Sequence, residues 1–202
     1  MSLTPDPPIP GLTIRPELPP DAAPITAVTL AAFSASPHGE EAIVTALRAS
    51  SALTLSLVAV LPPSSRSPFS SPVPSPPREE PESDRIVGHV AFSPVQILAE
   101  PGAAPPPQKW VGLGPVSVSP AFQRRGIGAA LIAEGLRILR EEGHFDGCVV
   151  LGNPVFYGKF GFVVGKGPVL DGVPAKYFQA LMLKESVEWP VGKVKYHEAF
   201  GV

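Results

Sequence analysis

The chain has 202 residues, 28 of them proline and one of them cysteine, and its 16 Lys+Arg against 18 Asp+Glu leave a formal charge of -2 at pH 7. That length suits one domain with a sizeable core, the near-neutral balance carries no basic footprint for nucleic acid, and a lone cysteine, Cys148, excludes an internal disulfide and fits a reducing compartment. No segment is long and apolar enough to span a bilayer, and the N-terminus lacks a basic region followed by an apolar core, so a cytoplasmic protein without a membrane partner is expected.

Residues 1–11 are proline-rich without a hydrophobic period and read as a disordered tail; residues 12–202 read as a single domain. Leu12 to Arg15 begins a first strand. Asp21, after Pro19-Pro20, is a plausible cap for a helix whose Ile25, Val28, Thr29 and Ala32 share one face. A second helix runs from about Glu40 to Ala49, with Ile43, Ala46 and Leu47 inward. The apolar run Leu53 to Leu61 and the run Arg85 to Phe92 read as two strands. Between them, residues 62–84 are a Pro/Ser stretch too poor in apolar surface to order itself, so a disordered hairpin insertion is expected. A second proline-rich loop, Pro101 to Pro107, leads to a strand over Trp110 to Val118. An apolar helix follows and ends at Glu141-Glu142-Gly143. Gly147 to Leu151 is a further strand that holds Cys148 as a buried thiol. Asn153 caps a short helix with Pro154 at its first position and Gly161 as its stop. Phe178 to Lys184 and Val191 to Tyr196 supply two late strands. The order is that of a mixed α/β domain.

The chemistry-bearing stretch is Gly114 to Glu142. Val116 and Val118 alternate with Ser117 as a strand does, and Pro120 ends it. Gln123-Arg124-Arg125-Gly126-Ile127-Gly128 then turns the chain into a helix carrying Leu131, Ile138 and Leu139 inward. Glycines at 126 and 128 let a ligand approach the backbone, and the N–H groups that open the helix favour negative charge. The turn therefore reads as a phosphate or pyrophosphate site. A dinucleotide fingerprint would need glycine where Leu131 stands, and a Walker loop would need Gly-Lys-Ser/Thr. Neither is present.

This hexapeptide resembles the Gln/Arg-x-x-Gly-x-Gly/Ala signature of the GNAT superfamily of acyl-CoA-dependent N-acyltransferases, and it lies, as in that family, between a strand and a helix. Phe156-Tyr157-Gly158-Lys159-Phe160-Gly161-Phe162 resembles the Phe-Tyr-x-Lys-x-Gly-Phe close of the same fold. The resemblance runs from Leu12 to about Tyr196 and is strongest to small acetyltransferases of unassigned substrate. It implies a mixed, mostly antiparallel sheet flanked by helices, acetyl-CoA as co-substrate, no metal, and direct attack of an amine on the thioester. The amine would belong to a small molecule or a peptide.

Carried over residue by residue, the resemblance implies that the backbone of Val116, Ser117 and Val118 holds the pantetheine arm and polarises the thioester carbonyl. The turn Gln123, Arg124, Arg125, Gly126, Ile127, Gly128 and Ala129 would cradle the pyrophosphate, and Tyr157 would protonate the departing thiolate. Preorganised donors and held reactants suit a thioester oxygen that gains charge. Tyr157, between Phe156 and Phe160, also fits a core aromatic role, and Gln123 could either brace the turn or meet a phosphate. The family's asparagine lies about one turn further upstream of the tyrosine than Asn153 does, which favours capping for Asn153. The general base has no single candidate. Glu40, Glu41, His38 and His89 are available, and Glu40 is preferred because the resemblance implies that the first two helices form the acceptor-side wall. Phe33, His38 and Phe92 are candidates to line that wall. An acyl-CoA-binding sensor of the same fold, without turnover, is the alternative, and monomer and homodimer both remain open.

Overall fold

The computed structural model describes residues 9–35, 39–63, 84–99, 107–185 and 188–201. Among the described residues, eight strands and four α-helices are arranged around a sheet whose order is β1-β2-β3-β4-β5-β7-β6. These are β1 (Thr13–Pro16), β2 (Leu55–Leu61), β3 (Arg85–Leu98), β4 (Trp110–Val118), β5 (Gly147–Leu151), β6 (Val163–Val164), β7 (Phe178–Met182) and β8 (Lys193–Lys195). The helices are α1 (Ala22–Ala32), α2 (Glu40–Ala49), α3 (Ile127–Glu142) and the single turn α4 (Pro154–Tyr157). Neighbouring strands are antiparallel except β4 and β5. No helix of the described residues is long and apolar enough to cross a membrane.

Alternation within the strands sends side chains to two layers. On one face Leu57, Val90, Phe92 and Val111 pack with Ile127, Leu131, Leu136 and Leu139 of α3. α3 can lie close to the sheet because Gly135 has no side chain where the Phe92 ring sits. On the opposite face, α1 and α2 bring Ile25, Val28 and Val44 against Val58, Val60 and Ile86. The remainder of that face is covered by the C-terminal segment, where Trp110, Val149, Phe178, Val194 and Tyr196 form a separate cluster.

The structure corrects several sequence expectations. The strand expected over Arg85 to Phe92 runs on to Leu98, and its far half gains a new partner, β8, through Gln96↔Lys195 to Leu98↔Lys193. The short β6, paired with β7, escapes notice in the sequence because two valines after a glycine turn carry no period. Asp21 makes no capping bond to α1. Its carboxylate instead pairs with Arg15 at 2.5 Å and accepts from the Leu18 N–H, which holds it below the usual carboxylate range against the opposing effect of burial. Ile9 packs against the core, so order starts ahead of Leu12. The expectations for residues 1–8, for 64–83 within the Pro/Ser insertion and for 100–106 lie outside the described residues.

Candidate active site

The turn after β4 takes its shape from two residues in left-handed backbone, of which only Gly126 adopts it without steric cost. Phe122, 2% exposed, anchors it in the core, and the Gln123 Nε2 donates to the Val118 carbonyl at 3.1 Å. The glutamine thus braces the turn. Arg124 adopts φ 58° and Gly126 φ 81°, and Gly126 becomes the N-cap of α3. The first helical bond runs from the Ala130 N–H to the Gly126 carbonyl, so the N–H groups of Ile127, Gly128 and Ala129 project from the helix end. No acidic residue occupies this first turn. The arrangement is an electropositive cradle for an anion, with the Arg125 guanidinium over the Phe122 ring at 5.9 Å.

A second feature adjoins it. β4 and β5 pair only over Trp110↔Gly147, Val111↔Cys148 and Gly112↔Val149, and then part. Beyond Gly112, β4 continues to Val118 with β3 as its ladder partner, leaving the backbone edge toward β5 open. The gap opens into a pocket of about 340 Å³. Its walls include Val116 of β4, Tyr157 of α4, Glu40 of α2, Phe33 at the end of α1, and Tyr196 and Phe200 from the C-terminal segment. Its lining is mostly apolar, with Glu40 as its carboxylate.

Tyr157 is aimed by local chemistry. The Asn153 side chain accepts from the Val155 N–H at 2.9 Å and Pro154 fills the first helical position, as a capped short helix requires. The ring stands edge-on to Phe156 at 5.0 Å and Phe162 at 5.9 Å, and lies directly over Gly152, where any Cβ would collide with it. Burial, reinforced by nearby Cys148, pushes its phenol up to about 12. The phenol is therefore neutral near pH 7.

The fold thus brings Phe33, Glu40, Val116 and Tyr157 to one pocket beside the turn 123–129. Other candidates stand elsewhere. The Ser117 side chain points beneath α1, where its Oγ lies 3.0 Å from Thr29 Oγ1, so only its backbone faces the open edge. Phe92 does not line the acceptor wall. It is fully buried on the α3 face, because it alternates with the strand's other face from His89. His89 is also fully buried, with Nε2 2.9 Å from Ser56 Oγ and 3.9 Å from the Glu17 carboxylate. Burial lowers its pKa to about 4, and it does not line the pocket. His38 lies outside the described residues. Burial pushes the Cys148 thiol up, so it is a packing group rather than a nucleophile. Among the described residues no group of three His, Cys, Asp or Glu could hold a metal.

Sequence reasoning missed Gly152, Tyr196 and Phe200. Gly152 carries a signal in hindsight, a glycine directly before the capping Asn-Pro. The others carry none, because the pairing that carries Tyr196 under β4 is long-range.

The fold thus places a split between two parallel strands, an uncapped helix N-terminus after the first of them and a phenol at the split side by side. Residues 75–162 match the model of the acetyltransferase (GNAT) family. A GNAT family acetyltransferase from Brucella melitensis, solved in complex with acetyl-CoA, is 42% identical, with 94% of this chain and 97% of that one covered and a TM-score of 0.67. The N-acetyltransferase YhbS from Escherichia coli, solved with CoA, is 28% identical over 100% of this chain and 96% of that one, with a TM-score of 0.71. No match was found among curated proteins. The chain belongs to the GNAT acetyltransferase family.

Proposed function

We propose that the protein transfers an acetyl group from acetyl-CoA to a primary amine of a small molecule or peptide, both substrates being held together in one complex. The observation that carries this reading is the pocket at the β4–β5 split, which has Tyr157 on one wall and Glu40 on another. The residues present fit the co-substrate. The cradle at Gly126 to Ala129 suits a pyrophosphate, and the open β4 edge over Val116 to Val118 offers backbone donors and acceptors to an extended amide-bearing arm.

In the transfer, the amine nitrogen forms a bond to the thioester carbon, the carbonyl electron pair moves to oxygen, and its return breaks the carbon–sulfur bond. Tyr157 gives its proton to the leaving sulfur. The ammonium loses two protons, one to Glu40, the carboxylate of the pocket wall, and from there to solvent, and one that returns through solvent to the Tyr157 phenolate, leaving amide, CoA thiol and one released proton. An amine of lysine type is protonated at neutral pH, with a pKa of about 10.4, so a carboxylate also holds the incoming ammonium. The apolar walls formed by Phe33, Ile43, Leu113 and Phe200 favour an amine carried on an apolar body over a polyhydroxylated one.

The test is thiol release from acetyl-CoA against polyamines, amino acids, arylalkylamines, aminoglycosides and peptide N-termini, with calorimetric binding of acetyl-CoA measured alongside. Amine-dependent thiol release supports the reading. Tight binding of acetyl-CoA with no turnover for any amine would replace it with a binding protein of the same fold.

A further inference from the structure

The far wall of the pocket holds a second tyrosine whose polar atom has no assignment. Tyr196 follows β8, is 6% exposed, and its hydroxyl is buried without a hydrogen-bond partner among the described residues. Of the other buried atoms in that condition, His89 Nδ1, Ser93 Oγ and Trp110 Nε1 belong to residues away from the pocket, while Glu40 Oε2 is on its wall, in a carboxylate that has another interaction. A buried hydroxyl that has lost water and gained no partner is unfavourable in the free protein, so its retention points to a partner that arrives with a ligand.

The ring is held where the strands part. A Cβ on Gly112, the last residue of β4 paired with β5, would fall 2.5 Å from Tyr196 Cε1, so glycine is what admits the ring there. Phe200 packs on it at 5.1 Å, and the following His197 lies 3.2 Å from Ser50 Oγ at the end of α2, which ties the segment to the helical wall. Tyr157 stands with the α3-side core, and Tyr196 with the opposite cluster. One phenol therefore approaches the split from each face of the sheet.

We propose that the Tyr196 hydroxyl donates a hydrogen bond to the carbonyl oxygen of the acyl group being transferred. This rests on the acetyl-CoA reading above. Burial, with Cys148 and Tyr157 acting in the same direction, raises the phenol far above its ordinary range, so it stays protonated and is a donor. An ammonium substrate offers only N–H groups, which Glu40 serves better than a neutral phenol. The thioester oxygen is an acceptor to which no side-chain donor has been assigned, and it gains charge as the amine attacks, when a fixed donor acts most strongly. Tyr196 adds a side-chain donor to whatever the β4 backbone supplies.

The experiment compares acetyl-CoA and CoA, which differ only in the acyl group, by calorimetry on the full chain and on Tyr196→Phe, with thermal melts of both proteins without ligand. Acetyl-CoA binding should weaken about 3- to 10-fold in the variant, the size of one neutral hydrogen bond, while CoA affinity stays unchanged. The ligand-free variant should melt at the same temperature or higher, because an unsatisfied buried hydroxyl has been removed. Unchanged acetyl-CoA affinity would overturn the proposal. So would a parallel loss for acetyl-CoA and CoA or a lower melting temperature, since either marks a structural role. Failure of the wild-type protein to bind either compound would instead overturn the acetyl-CoA reading itself, and this proposal with it.

Discussion

Replacing Tyr157 by phenylalanine removes one oxygen from the pocket and little else. The ring keeps its edge contacts with Phe156 and Phe162 and its seat over Gly152, so fold and co-substrate binding should survive. The phenol at about 12 lies roughly 3.5 pKa units above a free thiol, whose value is about 8.5. Full proton transfer to a finished thiolate is thus uphill, by about 5 kcal/mol at roughly 1.4 kcal/mol per unit, and the phenol contributes while the carbon–sulfur bond is breaking. General acids contribute about 10²- to 10⁴-fold. The mismatch places Tyr157 at the lower end, so kcat should fall about 100-fold, close to 3 kcal/mol of barrier. Steady-state thiol release gives kcat, and calorimetry gives the CoA affinity. The kcat–pH profile of the wild type should show no alkaline limb from this group below about pH 11. A kcat within threefold of wild type, or a CoA affinity that falls in step with kcat, would refute the general-acid assignment.

Three further outcomes follow from the geometry. Gly152→Ala puts a methyl group into the Tyr157 ring; kcat should fall tenfold or more with CoA affinity retained, and an unchanged kcat would show that the ring's position is unimportant. Gly126→Glu places a carboxylate at the N-cap of α3 and forces a side chain into φ 81°; calorimetry should detect no CoA binding, and residual affinity within tenfold would move the pyrophosphate away from this turn. His89 has a folded pKa of about 4 against an ordinary 6.5 because it is buried beside the Glu17–Arg48 pair, so its contribution is complete above about pH 6.5 and is lost as pH falls toward 4. The loss amounts to roughly 3 kcal/mol by pH 4, added to that of Glu17, whose pKa is lowered by Arg48 and Ser56 against the opposing effect of burial. Urea unfolding at pH 7 and pH 4.5 should show it, and an equal pH slope in His89→Gln would refute it.

The donor half of the site was legible in the sequence because its signals are local. Gly126 reads as a turn residue at the start of a helix, Pro120 as a strand end, and Asn153-Pro154 as a cap, since each acts through its own backbone. The structure has all three in those places. The acceptor half was less legible. Phe92 and His89 sit on one strand and read alike as inward residues, yet the pleat sends Phe92 to α3 and His89 toward the α1 face, and neither reaches the pocket. Glu40 and Phe33 do reach it, because α1 ends and α2 begins beside the part of β4 beyond Gly112.

The sequence by itself determined the class of fold, the glycine turn that opens α3, the placement of Tyr157 on a capped turn of helix and the family to which the chain belongs, because periodicity, capping and turn chemistry are carried by neighbours along the chain. Only the tertiary structure decided that β4 and β5 part after Gly112, that β8 pairs with the far half of β3, and that Tyr196 is carried beneath the split with its hydroxyl buried. Those features depend on register and packing between residues far apart in sequence, where one residue's slip moves a side chain to the other face of the sheet.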